Sequence, residues 1–475
     1  MKNNLNPTLQ FLGGAGTVTG SKYFIRANGT QILLDAGLFQ GLKELRLRNW
    51  QKPPFEPSRI DAVVLSHAHI DHSGYLPLLA RDHFRGRIFC TSGTSDLLDV
   101  MLPDAARLQE EEAATANKHG YSKHKPALPL YTTEDAQAAL KLVKTFPYGK
   151  VFPVSHGIHA IFRRAGHILG SAIVELEIGE ENPVRLVFSG DLGRCNQPIL
   201  RDPEFVPEAD ILLVESTYGD RTHPTNAAEQ LTRIIYESVK KGGALIVPAF
   251  AMGRTQELIW ILHKLEEEGK IPSLPVYIDS PMAIKATDIY CRHPEDHNLD
   301  MKMLMDERKC PLCCKKYYLA RTPEESKRLN DIQGPVIIIS ASGMATGGRV
   351  LHHLKLRLSD PRTTVLLAGF QAAGTRGRSL QEGAKELRIY GQNVPVRAKV
   401  EVLDGLSAHG DKNDILHWLS GFKRSPLQTY IVHGEKNSAE HLAQTIQREL
   451  GWNAKAALDG EIVELSGLNL KESSR

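Results

Sequence analysis

The sequence predicts an α/β chain in which a parallel, Rossmann-like α/β domain is inserted into a first domain built on strands. Three observations predict it. Short strand patterns dominate residues 1–208, helix and strand alternate over residues 209–397, and strand patterns return over residues 398–475. Alternating helix and strand implies a parallel sheet with crossover helices. A chain that starts one sheet, builds another and returns to the first implies an insertion.

Each element has a local reason. TLQFLGG, SKYFIRA and TQILLDAG read as three strands, and Asn28-Gly29 between the last two is a hairpin signal. IDAVVLSH is a nearly continuous apolar run, the pattern of a strand buried on both faces. HSGYLPLLARDHF reads as a helix, with Pro77 tolerable in its first turn. Residues 104–145 read as mainly helical, interrupted by the basic loop NKHGYSKHKPALP. Strands resume at SAIVELEIG, VRLVFSGD and ADILLVEST.

Beyond residue 225 the rhythm changes. Helix AAEQLTRIIYESVKK precedes strand GALIVPA, and helix RTQELIWILHKLEEE precedes strand PVYIDS. GPVIIIS, GGRVLHHLKLRL and TTVLLAG then repeat strand, helix, strand. The return is expected at VRAKVEVLDG, followed by helix DKNDILHWLSGF and strand QTYIVHGE.

At 475 residues the chain is too long for one ordinary core. A net charge of +3 neither announces nor excludes a nucleic-acid partner, because a basic cleft can sit on a balanced protein. No run approaches the roughly 20 apolar residues of a membrane span, and MKNNLNPTLQ lacks the apolar core of a signal peptide. The six cysteines form no disulfide framework for this length, so the expected compartment is the reducing cytoplasm.

The chemistry concentrates in SHAHIDHSG, which packs His67, His69, Asp71 and His72 into six positions after an apolar strand. Three more coordinating residues stand where strands end: His167 in AGHILGSA, Asp191 in VFSGDLG and His433 in YIVHGE. Strand ends converge on one edge of a sheet however far apart they lie in sequence. Five histidines and two aspartates without thiolate suit zinc, with manganese an alternative, and favour a catalytic site. Seven ligands exceed one tetrahedral ion and suit two, with one carboxylate bridging. His67 and His69, two apart at a strand end, can point to the same side; Asp71 and His72 follow a turn and can serve a second ion.

HAHIDH, His167 and Asp191, with Asp35 in ILLDAG, resemble the successive motifs of the metallo-β-lactamase fold. Glu215 in VESTYGDR, His409 in GLSAHGD and His433 in VHGE resemble its β-CASP branch, as do PAFAMGRTQEL, SASGM and GFQAAGTRGRSL. That branch includes the endonuclease subunit of the cleavage and polyadenylation factor and its bacterial relatives. The resemblance implies an αββα sandwich and a zinc-dependent ribonuclease holding two Zn²⁺ ions. One ion would take His67, His69, His167 and Asp191, and the other Asp71, His72, Asp191 and His433. A hydroxide shared by the ions would attack the phosphodiester, since divalent ions lower the pKa of bound water. Asp71, His409 and Glu215 are the implied catalytic set: His409 as general acid, Glu215 as the holder of its ring. Asp35 would orient a ligand loop.

The loop SASGMATGGR opens a helix, so its amides can cradle a phosphate, and the family's equivalent loop faces the scissile region. Ser340, Ser342 and Gly343 are the candidates there. Arg254, Arg376 and Arg378 are candidates for backbone phosphates. CPLCC at residues 310–314 resembles half a zinc knuckle without a second cysteine pair, and reads as a thiol loop.

DNA-acting members of the branch tend to carry an aliphatic residue where this chain has His433, which favours RNA. The retained ligands argue against a catalytically dead scaffold. With no recognisable RNA-binding domain before the first strand, and no long carboxy-terminal domain of the RNase J kind, endonucleolytic cleavage of single-stranded RNA is expected. It would leave 5′-phosphate and 3′-hydroxyl ends. A DNA nuclease, another phosphodiesterase of the fold and a 5′–3′ exoribonuclease are the alternatives.

Overall fold

In a computed structural model, which describes residues 6–120, 122–180, 182–307 and 311–465, the chain starts with the expected hairpin. Tyr23–Ala27 pairs antiparallel with Thr30–Leu34, with Ala27 opposite Thr30. Asn28 and Gly29 both take positive φ (53° and 77°), the conformation of a two-residue primed turn that suits the right-handed strand twist.

The described residues form two units. The first comprises Met1–Asn196, Asp202–Thr222 and His409–Arg475; the second comprises Gln197–Arg201 and His223–Ala408.

In the first unit, two seven-stranded sheets are found among the described residues. One runs Ile462–Glu464, Thr8–Phe11, Tyr23–Ala27, Thr30–Leu34, Ala62–Val64, Arg87–Cys90, Val143–Thr145. The other runs Ala454–Ala456, Gln428–Val432, Ile211–Glu215, Val184–Phe188, Ala172–Ile178, Ile158–Arg164, Phe152–Ser155. The inner faces share a core in which Leu9, Phe11, Ile25 and Leu34 of the first sheet join Phe162, Phe188, Leu213 and Val432 of the second. Alternate residues of the second sheet (Val187, Leu212, Val214, Ile431) pack outward instead, against the helices Lys412–Leu419 and Lys436–Leu450. Burial on both faces is why these strands read as unbroken apolar runs.

The second unit has a six-stranded sheet among the described residues, in the order Tyr317–Leu319, Val276–Ile278, Val336–Ser340, Ala244–Pro248, Thr364–Leu367, Lys399–Val402. Every pairing in it is parallel. One face packs through Ile246, Ile338 and Leu367 against Val350, Leu351 and Leu354 of the helix Val350–Arg357.

The strands fall differently from the expected boundaries in two places. Ile211–Glu215, expected to open the inserted domain, lies in the first unit between Val184–Phe188 and Gln428–Val432. Lys399–Val402, expected to begin the return, pairs with Thr364–Leu367 at the edge of the second unit's sheet. Burial pattern reveals that a segment is a strand, but not which sheet it joins; the pairing partner decides that. Residues 104–145 are mainly helical around a loop, as expected, with one helix over Ser92–His119 and a short one over Thr133–Leu140; the strand Val143–Thr145 that follows is the difference. Thr91 caps the long helix and Gly120, at φ 65°, ends it. HSGYLPLLARDHF divides into the short helices Ile70–Ser73 and Leu76–Arg81. Among the described residues no helix is long and apolar enough to cross a membrane.

The centre of the sandwich is aromatic. The Phe152 ring stacks on Phe146 at 4.1 Å between centroids and meets Phe162 at 4.9 Å and Phe89 at 5.6 Å. Phe152→Ala is therefore expected to cost about 3–5 kcal/mol, read as a lower denaturant midpoint at unchanged slope.

Candidate metal centre

The first unit's sheets deliver their strand ends to one edge. Thr30–Leu34 and Ala62–Val64 are parallel neighbours with Leu34 opposite Val64, so Asp35 and Ser66 emerge side by side. In the other sheet Val184–Phe188, Ile211–Glu215 and Gln428–Val432 are parallel, with Glu215 opposite Val432. Asp191, Glu215 and His433 thus leave the sheet at one end. Ile158–Arg164 runs in the same direction, because it and Val184–Phe188 are both antiparallel to Ala172–Ile178. It delivers His167 there too.

Asp35 is fully buried and anchors the cluster. Its Oδ1 accepts the Ser66 N–H at 2.7 Å, and its Oδ2 accepts the Ser66 hydroxyl and lies 2.7 Å from His72 Nδ1. Ser66 Oγ, its hydrogen spent on Asp35, lies 3.0 Å from His67 Nδ1 and is left to accept from it. Both rings therefore carry their proton on Nδ1 and turn Nε2 inward. Ser21 braces His433 from the same side, with its hydroxyl 2.8 Å from Nδ1.

Four donor atoms then form a small polyhedron. His67 Nε2 and His167 Nε2 lie 3.1 and 3.2 Å from His69 Nδ1, and 3.5 and 3.6 Å from Asp191 Oδ2. For metal–nitrogen bonds of about 2.0–2.1 Å, a tetrahedron has edges of about 3.3 Å. Asp191 Oδ1 faces the other way, 3.2 Å from His72 Nε2 and 3.7 Å from His433 Nε2; that nitrogen lies 3.9 Å from Asp71 Oδ2.

The donor set fits divalent metal. Burial holds His67 well below the usual imidazole range and brings His69 down to about 4, so both stay neutral and keep their lone pairs. His72 Nε2 and Asp191 Oδ1 are buried without a hydrogen-bond partner, an expensive arrangement unless a cation sits on them. Burial opposes a proton on His72, yet Asp191 and Asp35 outweigh it and raise its pKa well above the usual range. A cation beside Nε2 would take that proton's place.

Two glycines allow the convergence. A Cβ on Gly37 would meet the Asp71 carbonyl oxygen at 1.6 Å, and one on Gly193 the Gly166 oxygen at 2.0 Å. DAG and GDLG therefore need their glycines for close packing of the ligand loops.

His409 stands at the rim. Its Nδ1 lies 3.1 and 3.2 Å from the two oxygens of buried Glu215. Those oxygens also accept the Leu192 and Thr217 N–H groups at 2.7 and 3.2 Å. Gly193 and His409 form an isolated β-bridge that ties this loop to the Asp191 loop. Burial disfavours the charged ring, but Glu215 and Asp191 outweigh it and push His409 up to about 9; bound dications would pull it back. Asp191, Glu215 and His409 also lie close enough to form a third ligand group, but Glu215 already serves two amides and a ring.

The structure thus brings together Asp35, His67, His69, Asp71, His72, His167, Asp191, Glu215, His409 and His433. Sequence reasoning missed Ser21 and Ser66, since serine has no signature among polar residues; adjacency to His67 was the available signal for Ser66.

The remaining candidates lie in the second unit and have intramolecular partners. Ser340 is buried and donates its hydroxyl to the Asp279 carbonyl at 2.9 Å. Ser342 Oγ accepts the Thr346 N–H at 3.1 Å, and Gly343 packs on Phe250, where a Cβ would meet the ring at 2.8 Å. Arg254 is buried against Glu257, Arg376 bonds the Arg388 and Thr346 carbonyls at 2.8 and 3.1 Å, and Arg378 pairs with Glu382 at 2.7 Å. In CPLCC, Cys310 lies outside the described residues, and Cys314 is buried.

Comparison with known proteins agrees with this geometry. Residues 30–238 match a beta-lactamase superfamily domain, residues 255–380 a Beta-Casp domain, and residues 393–457 a Zn-dependent metallo-hydrolase RNA specificity domain. The chain is 35% identical to ribonuclease TTHA0252 of Thermus thermophilus over 426 residues, 89% of this chain and 92% of that protein. It is 32% identical to the transcription termination factor FttA of Methanocaldococcus jannaschii, over 93% of this chain and 69% of that protein. It is also 32% identical to an RNase J-like protein of the same organism, over 93% of this chain and 96% of that protein. A solved structure of a protein of unknown function from Enterococcus faecalis V583 shares the fold, with a TM-score of 0.53 at 14% identity over 97% of this chain and 100% of that one.

Removing the anchor carboxylate provides a test. Asp35→Ala should fold but release His72 and Ser66, weakening metal affinity by about 10–100-fold in competition with a chromogenic chelator.

Proposed function

The chain belongs to the β-CASP family of metal-dependent ribonucleases on the metallo-β-lactamase fold, and from that premise we propose an endoribonuclease that cuts single-stranded RNA with two zinc ions. The observation that carries this reading is the Asp191 carboxylate, whose two oxygens face two different histidine sets. His67, His69, His167 and Asp191 would hold one ion, and Asp71, His72, His433 and Asp191 the other. When bound, two such ions activate water near neutral pH and neutralise charge on the phosphoryl group.

The chain's own residues orient the ligands and supply the proton. Asp35 and Ser66 fix the His72 and His67 tautomers, and Ser21 braces His433. Glu215 accepts the His409 Nδ1 proton, which puts the second ring proton on Nε2. Water adds to phosphorus and gives up one proton to solvent, the P–O3′ bond breaks, and His409 gives its Nε2 proton to the departing 3′ oxygen. The products are a 5′-phosphate and a 3′-hydroxyl. General acid at His409 rather than a ligand role is supported by the commitment of Nδ1 to Glu215.

Elemental analysis of protein prepared without chelator should return two divalent ions per chain, zinc predominating. Asp191→Ala should lose both metals and all cleavage. His409→Ala should retain the metals while the cutting step slows about 10²–10⁴-fold. Its deficit should shrink on an activated aryl phosphodiester, whose leaving oxygen needs no proton; equal loss on both substrates would remove His409 as the acid. Incubation with 5′-labelled and internally labelled RNA should give internal fragments with 5′-phosphates. Mononucleotides released in order from the 5′ end would establish the exonuclease instead.

A further inference from the structure

The first unit contains a cavity of about 290 Å³. Lys22, Arg48 and Lys52 line it together with a single carboxylate, Asp459, and an apolar wall that includes Phe55 and Tyr75. Its volume is near the lower end of small-ligand pockets, which span about 300–1,000 Å³.

The charges in it do not balance. Two of the cations are accounted for: Arg48 pairs with Asp459 at 2.9 Å, with its guanidinium 4.0 Å from the centre of the Phe39 ring, and Lys52 pairs at the surface with Glu56 at 3.7 Å. Lys22 is buried, at 6% exposure, yet no carboxylate among the described residues forms an ion pair with it. Its Nζ donates to the carbonyl oxygens of Gly37 and Gly20 at 2.6 and 3.2 Å, beside the rings of Phe39 and Tyr75. An ammonium has three donors, so carbonyl bonds occupy two of them. Burial and the Arg48 charge bring its pKa down to about 7. A buried charge is ordinarily paired, and this one borders an open cavity.

We propose that this cavity binds the phosphate of a nucleotide, with Lys22, Arg48 and Lys52 meeting the anion and the Phe55–Tyr75 wall meeting the base. Lys22 is the cation without a carboxylate, and a phosphate beside it would supply the missing anion while sharing the more exposed Arg48 and Lys52 with their carboxylates. Aromatic surface beside cations suits a base. The nucleotide is either free or one unit of an RNA chain. The cavity is distinct from the metal centre but joined to it. Lys22 holds Gly37, which packs on the Asp71 carbonyl, while neighbouring Ser21 bonds that same carbonyl through its N–H and His433 through its hydroxyl.

The experiment uses the full chain carrying Asp191→Ala, so that neither cleavage nor metal-bound phosphate enters the reading. Inorganic phosphate, adenosine 5′-monophosphate and a ten-nucleotide RNA are titrated by calorimetry. The monophosphate should bind one per chain and more tightly than inorganic phosphate. Adding Lys22→Met should weaken it about tenfold or more, with thermal unfolding measured alongside. Lys52→Ala, a surface change that leaves the fold alone, should weaken it about threefold. Tighter binding of the RNA would identify the ligand as a unit of the chain, and tighter binding of the monophosphate as a free nucleotide. The proposal is overturned if the monophosphate does not bind, if it binds no better than inorganic phosphate, or if Lys52→Ala leaves its binding unchanged. None of these outcomes depends on how the enzyme cuts RNA.

Discussion

The buried carboxylate of Asp35 is the interaction on which the metal centre depends. It sits at the end of a strand, at φ 59°, with no exposed surface, and is satisfied by the Ser66 backbone, the Ser66 hydroxyl and the His72 ring. Burial raises its pKa, and the bonds from Ser66 and His72 oppose that rise. In return it fixes the tautomer of His72 directly and that of His67 through Ser66. One residue of each ligand set is therefore aimed by the same carboxylate. Without it those rings could rotate or exchange their protons, and inward-facing nitrogens would no longer be guaranteed.

That anchoring works only because the sheets bring the strand ends together first. Parallel pairing places Asp35 beside Ser66 and Glu215 beside the strand leading to His433. Antiparallel pairing on both sides of Ala172–Ile178 sends the strands before His167 and Asp191 the same way. The shared core between the sheets, with Phe152, Phe162 and Phe188 in it, fixes one edge against the other. Close packing of this kind tolerates little volume change, which makes it a rigid support for the donor atoms.

The second unit uses its polar residues differently. Asp279 is buried and bonded to Arg349, His353 and Ser326, while Arg254 and Glu257 pair within one helix. These contacts stabilise the unit's own loops. A phosphate reaching Arg254, Arg376 or Arg378 would have to compete with partners already in place, whereas Lys22 has no carboxylate to displace.

The sequence by itself determined which coordinating residues gather at the candidate metal centre. HAHIDH, His167, Asp191 and His433 were legible because coordination demands specific side chains at strand ends, and the helix Ala227–Lys241 was legible because its apolar period is unambiguous. Tertiary structure alone decided which sheet received Ile211–Glu215 and Lys399–Val402, because a buried strand and an edge strand look the same whichever neighbour they pair with. It alone revealed Ser21 and Ser66, whose hydroxyls matter through their partners and not their type. Ser340 and the three arginines looked available in the sequence and prove to be bonded within the unit. Coordination is written in residue identity, but orientation and availability depend on contacts between residues far apart in the chain.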